Sequence, residues 1–197
     1  MRYFLVLIVL VFLFPFQSHS QDYLTSLSYN TAAPTGQTQD YISQFSWRGL
    51  SFEARTFFDT NISAGVFFGW NVFYEKLRGD FQATDSRTIS GTQLRYINAF
   101  PMLVEGHYYL GEDFEVRPYF GMGVGTNRTV QRTEMGLFAI NNNNWHFALA
   151  PSAGFLIPTG NYDTAIHLAL RYHYAFKTKD SIDHSWLGIN LGIAWMN

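Results

Sequence analysis

The chain has 197 residues, no cysteine, 14% charged residues, 18% aromatic residues and a formal net charge of −2. This excludes a disulfide framework, a thiolate metal site and a lipid-bearing cysteine, and also the clustered cationic surface that a nucleic-acid partner needs. Hydrophobic residues make up 47% of the chain while mean hydropathy stays near zero, so apolar residues are interleaved with small polar ones in a chain expected to fold.

The N-terminus reads as a leader. Arg2 is followed by an unbroken apolar run from Phe4 to Phe14, then Pro15 and the small residues Ser18 and Ser20. This is the pattern of a secretory signal peptide cleaved before Gln21. The run of roughly 11 apolar residues is shorter than the ~18 to 20 that a spanning helix requires. Residues 1–20 are therefore predicted to be the signal peptide and residues 21–197 a single domain.

After Gln21, period-two alternation replaces helical blocks. A short first strand is predicted over Tyr23 to Tyr29 and a second over Leu50 to Phe58. The third is the plainest, with Ile62, Ala64, Val66, Phe68, Trp70, Val72 and Tyr74 in one phase and Ser63, Gly65, Phe67, Gly69, Asn71, Phe73 and Glu75 in the other. Leu94 to Leu110 follows, with Asn98 in its apolar phase as a sign of a bulge or bend. Val116 to Thr126, Trp145 to Ile157, Ile166 to Phe176 and Leu187 to Trp195 complete a set of eight strands.

The connections alternate in length. Asp59–Asn61, Gly111–Asp113 and Thr159–Asp163 are short and rich in turn formers. Longer polar loops are expected at about 31–41, 79–90, 134–144 and 177–183, with Asn141 to Asn144 at a loop tip. Short turns at one end and long loops at the other are the pattern of an eight-stranded antiparallel up-and-down transmembrane β-barrel in the outer membrane, with both chain ends on the short-turn, periplasmic side.

A secreted, soluble lipocalin-like ligand-binding barrel is the main alternative, because it alternates too, with its apolar phase inside. Its other phase would face water and carry long polar side chains. Here that phase holds Gly65, Gly69, Gly121, Gly123, Gly125, Gly188, Gly192 and Ala194, which suit a crowded interior. The apolar phase carries Trp70, Tyr74, Trp145, Tyr172, Tyr174 and Trp195 near strand ends, where interfacial aromatic girdles belong.

Four segments carry a family resemblance: Gly69 to Glu75, Arg95 to Pro101, Arg117-Pro118-Tyr119-Phe120-Gly121-Met122-Gly123-Val124-Gly125, and Leu187 to Trp195. Across the mature chain they resemble the small outer-membrane barrels, OmpW-like and OmpA-transmembrane-domain-like, most closely the short porin-family barrels of Bacteroidetes type. The resemblance implies an integral, non-enzymatic outer-membrane protein with a structural or surface role, or a narrow conduit for small molecules. It implies insertion by the barrel assembly machinery, which reads an alternating last strand ending in an aromatic; here Trp195 stands two residues before the end. The expected partners are outer-membrane lipid, that machinery and a small apolar ligand, the barrel being a monomer without a cofactor.

The inward phase carries the remaining chemistry: Glu53, Arg55, Glu75, Arg95, Glu105, His107, Arg117, His167, Arg171 and His173. An eight-stranded barrel is about wide enough for its own side chains. Four arginines against three glutamates are therefore expected to form a mutually neutralising ion-pair network, since buried charges must be paired; the alternative is a polar path. A lipid-modifying outer-membrane enzyme is the remaining reading. It needs a nucleophile and base together, yet His107, His146, His167 and His173 fall inward and His184-Ser185 is expected at a loop edge. His167 and His173 lie six residues apart on one strand, roughly 20 Å, too far to share a metal ion.

Overall fold

Alternation becomes a closed sheet in the computed structural model, which describes residues 22–196 except 85–86, 113–114, 137 and 161–162, with the side chains of 80–90 also outside the description. The predicted signal peptide lies outside these residues. The strands are β1 (Tyr23–Thr35), β2 (Gly49–Asp59), β3 (Ile62–Thr84), β4 (Arg87–Tyr109), β5 (Arg117–Met135), β6 (Phe138–Pro158), β7 (Thr164–Ala175) and β8 (His184–Met196), with one short helix, α1 (Gly36–Tyr41), between β1 and β2. Each strand pairs antiparallel with its chain neighbours, and β8 pairs back onto β1 from Leu24↔Met196 to Thr35↔Ser185. Over the height where all eight strands pair, closure leaves no open edge, which backbone in hydrocarbon cannot tolerate.

The apolar phase faces outward. Phe52, Val66, Phe68, Phe120, Val104, Leu170, Ile189 and Leu191 are all exposed, and the same belt runs round every strand. From Leu187 to Trp195 it covers roughly 27 Å of strand at ~3.4 Å per residue, which at a tilt of ~35 to 45° spans about 19 to 22 Å, most of the ~25 Å apolar height of outer-membrane barrels. A soluble lipocalin-like barrel has these faces reversed, so that alternative is overturned.

The barrel is taller on one side. β3 and β4 each run 23 residues, β5 runs 19 and β6 runs 21, against 11 to 13 for the other four strands. Beyond Tyr74 and Trp145 the outward phase turns polar, with exposed Lys76, Arg78, Arg132, Asn141 and Asn143. The loops expected at 79–90 and 134–144 are thus mostly continuations of paired strands, which reach Thr84↔Arg87 and Met135↔Phe138. Asn141 to Asn144 is not a loop tip but pairs with Thr129 to Arg132. Asn144 Nδ2 donates to Asn142 Oδ1 at 2.7 Å and Asn142 Nδ2 to the Asp180 carbonyl at 3.0 Å. β1 likewise continues to Thr35, and the β4–β5 connection spans 110–116, longer than the expected turn.

No bulge occurs at Asn98, which keeps register with both Val72 and Val130. Its amide is satisfied on the outer face by Trp70, whose Nε1 donates to Asn98 Oδ1 at 3.2 Å. The ladder is interrupted opposite two prolines instead. Pairing between β3 and β4 skips Gly69–Trp70 against Phe100–Pro101, and pairing between β6 and β7 skips Ala150–Pro151 against Tyr172–His173. Proline brings no N–H to a ladder, yet the register on either side is unchanged.

Gly192 lies on the closing seam, where a Cβ would overlap the Leu27 carbonyl oxygen and the Ser28 side chain. Gly192→Ala is expected to cost about 1 to 3 kcal/mol as an overpacked contact against immovable backbone, read as a lower urea midpoint for the folded barrel. Gly91→Ala, with open space at its Cβ, is expected to leave that midpoint within about 0.5 kcal/mol.

Candidate functional site

The interior is filled in layers. At the end that holds the chain termini, Leu24, Tyr109, Tyr119, Leu156, Ala165, Ala169 and Ala194 form an apolar cluster with Phe57 and Met196 packed on it. Arg117 closes this end, its guanidinium 5.0 Å from the Tyr109 ring centre and donating to the Thr60 carbonyl.

Above it lies a charged layer. Glu53, on β2, accepts from Arg55 two residues further along the same face, and from Arg171 of β7, whose Nη2 stands 2.9 Å from Glu53 Oε1. The other arm of Arg171 meets Glu105 of β4, whose second oxygen lies 3.3 Å from His107 Nε2. Two carboxylates thus face two guanidiniums. Arg55 also donates to the hydroxyl of Tyr109 at 2.7 Å and of Tyr119 at 3.3 Å. The chain of contacts continues from Tyr119 Oη to His167 Nε2 at 2.6 Å, and from His167 Nδ1 to Ser28 Oγ at 3.4 Å. The Arg171 guanidinium stacks on the Phe67 ring at 3.9 Å. Glu53, Arg55 and Arg171 are all at most 2% exposed, so each charge depends on its partners rather than on solvent.

Glu53, Glu105 and His107 present ligand atoms within 4.8 Å of one another, a spacing that suits a metal ion. The bridging guanidinium of Arg171 already takes the cation's place between the two carboxylates. The donor set therefore fits an ion-pair network rather than a resident metal.

Toward the loop end come Phe67, Leu103, Ala148, Ala150 and Ala175. His173 sits between Phe67 and Trp186, stacked on the indole at 4.7 Å, and Phe73 meets the other side of Trp186 at 5.7 Å. The mouth is closed by residues 36–43. Thr38 and Ile42 are fully buried, and the Ser185 amide donates to Thr38 Oγ1 at 2.9 Å. Ser43 donates from its amide and hydroxyl to the two oxygens of Glu75, at 3.1 and 2.8 Å. Arg95 donates to the Tyr41 carbonyl at 2.8 Å and covers the Tyr41 ring at 4.9 Å, while the Tyr41 hydroxyl reaches Thr133 across the barrel.

All ten residues predicted to point inward do so, nine of them buried and Arg95 half-buried. They do not form one network. Glu53, Arg55, Glu105, His107, His167 and Arg171 share the charged layer, Arg117 closes the terminal end, His173 belongs to the aromatic layer, and Glu75 and Arg95 latch the lid. Sequence reasoning missed Tyr109, Tyr119, Ser28, Phe67 and Trp186 as partners, although all lie in the inward phase. It also missed α1. His184 and Ser185 are not at a loop edge but are buried at the start of β8. Their side chains engage others: Ser185 Oγ donates to the Thr35 carbonyl at 3.0 Å, and His184 Nε2 lies 3.4 Å from Ser181 Oγ.

No family model matches the chain, and no curated protein matches it. Among solved structures, it is similar to Ail, the attachment invasion locus protein of Yersinia pestis, with 14% identity and a TM-score of 0.55 over 91% of this chain and 100% of that one. It is similar to the N-terminal β-barrel domain of Pseudomonas aeruginosa OprF, with 10% identity and a TM-score of 0.56 over 92% and 100% of the two chains. The outer membrane protein OprG of Pseudomonas aeruginosa gives 12% identity and a TM-score of 0.56 over 89% and 95%. At such identities the likeness is one of fold. With its outward apolar belt and closed ring of eight strands, the chain has the architecture of the small outer-membrane β-barrels.

Proposed function

We propose that the protein is a non-enzymatic outer-membrane barrel whose sealed interior serves as a rigid anchor for the tall β3–β6 wall it holds above the membrane. The observation that carries this reading is the filled interior: a neutralised charged layer, an aromatic layer and a latched lid lie one above another. In this reading the chain termini lie in the periplasm, the β3–β4 and β5–β6 hairpins face outward from the cell, and the barrel works as a monomer. Its partners are outer-membrane lipid and, during insertion, the barrel assembly machinery. The OmpW-like and porin-family resemblance supports the same assignment.

A lateral route for a small apolar molecule is the second reading, favoured by the interrupted pairing between β3 and β4 beside Pro101. A Cβ on Gly69 would meet the Phe67 ring and the Pro101 ring, so that route requires those rings to move.

The expected behaviour is spontaneous folding into lipid vesicles with migration in detergent gels that changes on boiling. A protein recovered as a soluble monomer without detergent, with migration indifferent to boiling, would contradict the assignment.

A further inference from the structure

Near the loop end of the interior, two imidazoles meet in a place that neither the charged layer nor the lid uses. His146 of β6 and His184 of β8 lie on strands separated by β7, and Ala175 is the β7 residue paired with His184. Ala175 and its partner Ala148 on β6 are both buried. Such small residues leave room for the two rings to approach to 5.2 Å between centres, nearly perpendicular at 88°. Both histidines are 1% exposed.

Each ring has one nitrogen engaged and one without a hydrogen-bond partner. His146 Nδ1 is 2.9 Å from the Phe176 carbonyl, which only accepts, so the proton is on Nδ1 and Nε2 carries a lone pair. His184 Nε2 is 3.4 Å from the Ser181 hydroxyl, and Nδ1 is the free atom. His146 Nε2 and His184 Nδ1 are both buried without a partner. An orphaned buried nitrogen is unfavourable. A ring held through its other nitrogen by a carbonyl or hydroxyl is also the arrangement that orients a histidine for a metal.

The spacing fits. Two imidazoles on one tetrahedral ion, with metal–nitrogen bonds of ~2.0 to 2.1 Å, place their ring centres about 5 Å apart. Neutral nitrogen donors select borderline transition ions such as zinc, nickel or copper over calcium or magnesium, which take oxygen ligands.

We propose that His146 and His184 form a binding site for one late first-row divalent transition-metal ion, its coordination completed by water. In the occupied site His184 carries its proton on Nε2, toward Ser181, and gives Nδ1 to the ion. The ion ties β6 to β8 beside the 176–183 connection. Of the six histidines in the chain, His19 lies in the predicted signal peptide, and His107, His167 and His173 are buried elsewhere in the interior. Zinc binding by the tag-free mature protein that depends on both His146 and His184 is therefore the specific readout, since Glu53, Glu105 and His107 also have a spacing that suits a metal ion.

The test is calorimetric titration of the detergent-folded, tag-free barrel with zinc chloride. One zinc per chain is expected, with affinity reduced at least about tenfold in His146→Asn and in His184→Asn, the lower end of what losing even an outer partner costs a metal site. Asp180→Asn, an exposed carboxylate on the same connection, is expected to bind as the unaltered chain does. Should either histidine variant fail to fold, the unaltered protein labelled with 15N-histidine decides. Zinc should then shift the ring signals of two histidines and leave the others in place. No stoichiometric binding, binding that survives both substitutions, or shifts spread over all the rings would overturn the site.

Discussion

Arg171→Met is expected to lower the unfolding free energy of the barrel by about 3 to 5 kcal/mol, the usual result of removing one partner from a buried ion pair. Arg171 is fully buried and bridges Glu53 and Glu105. Without it, Glu53 retains Arg55, but Glu105 keeps only the neighbouring His107 and must be protonated or hydrated at the centre of the fold. Methionine approximates the apolar stem of arginine, so the substitution removes the guanidinium, with its ion pairs and its stacking on Phe67, while most of the stem volume stays. Urea titration of the folded protein in vesicles reads the shift. Arg132→Met removes an ion pair of the outer wall, with Arg132 Nε 2.6 Å from Glu134 Oε1 and the arginine side chain half exposed. It is expected to cost below about 1 kcal/mol. Equal small shifts for the two variants would show that the charged layer does not hold the interior together.

Glu75→Ala is expected to free the lid while leaving the barrel folded. Two hydrogen bonds join Ser43 to this carboxylate, and bonds to charged groups are worth about 1.5 to 3 kcal/mol each. Losing the latch should speed hydrogen exchange at the amides of residues 42 and 43 by at least about tenfold, since ~1.4 kcal/mol corresponds to one factor of ten. The Ile42 amide is a sensitive reporter, because it donates to the Thr38 carbonyl at 2.8 Å and its side chain is fully buried. The urea midpoint should move little, because the strands keep their pairing. Glu75→Gln, which keeps one acceptor oxygen, should fall between. Exchange unchanged in both variants would mean that the Thr38–Ser185, Arg95–Tyr41 and Tyr41–Thr133 contacts hold the lid without Glu75.

The strands and their facing were legible because lipid and interior impose opposite demands on alternate residues. From Ile62 to Glu75 that contrast is strong, and every residue faces as expected. Past Gly79 and around Asn141 the wall stands in water, where an outward polar residue reads like a loop residue; pattern alone therefore ended β3 and began β6 too far inside. Asn98 suggested a bulge because an amide on the outer face needs a partner, and the partner, Trp70, is 28 residues away. The inward glycines pointed to a crowded interior. What crowds it is aromatic: Phe67, Phe73, Tyr109, Tyr119 and Trp186.

The split of the ten charged and histidine residues was not legible, since it depends on height in the barrel as well as on facing. Glu75 and Glu105 share the inward phase, yet one latches the lid and the other pairs with Arg171. Height follows from stagger between neighbouring strands, which alternation within a single strand does not encode.

Planar-bilayer recording tests the sealed interior most directly. The folded barrel is expected to give no reproducible unitary conductance steps at neutral pH, and neither is Glu75→Ala, because the charged layer and the Tyr109–Tyr119 cluster lie below the lid. Reproducible steps from the unaltered protein, changed in size by Arg171→Ala or Glu105→Ala, would contradict the account and make the charged layer the lining of a conduit.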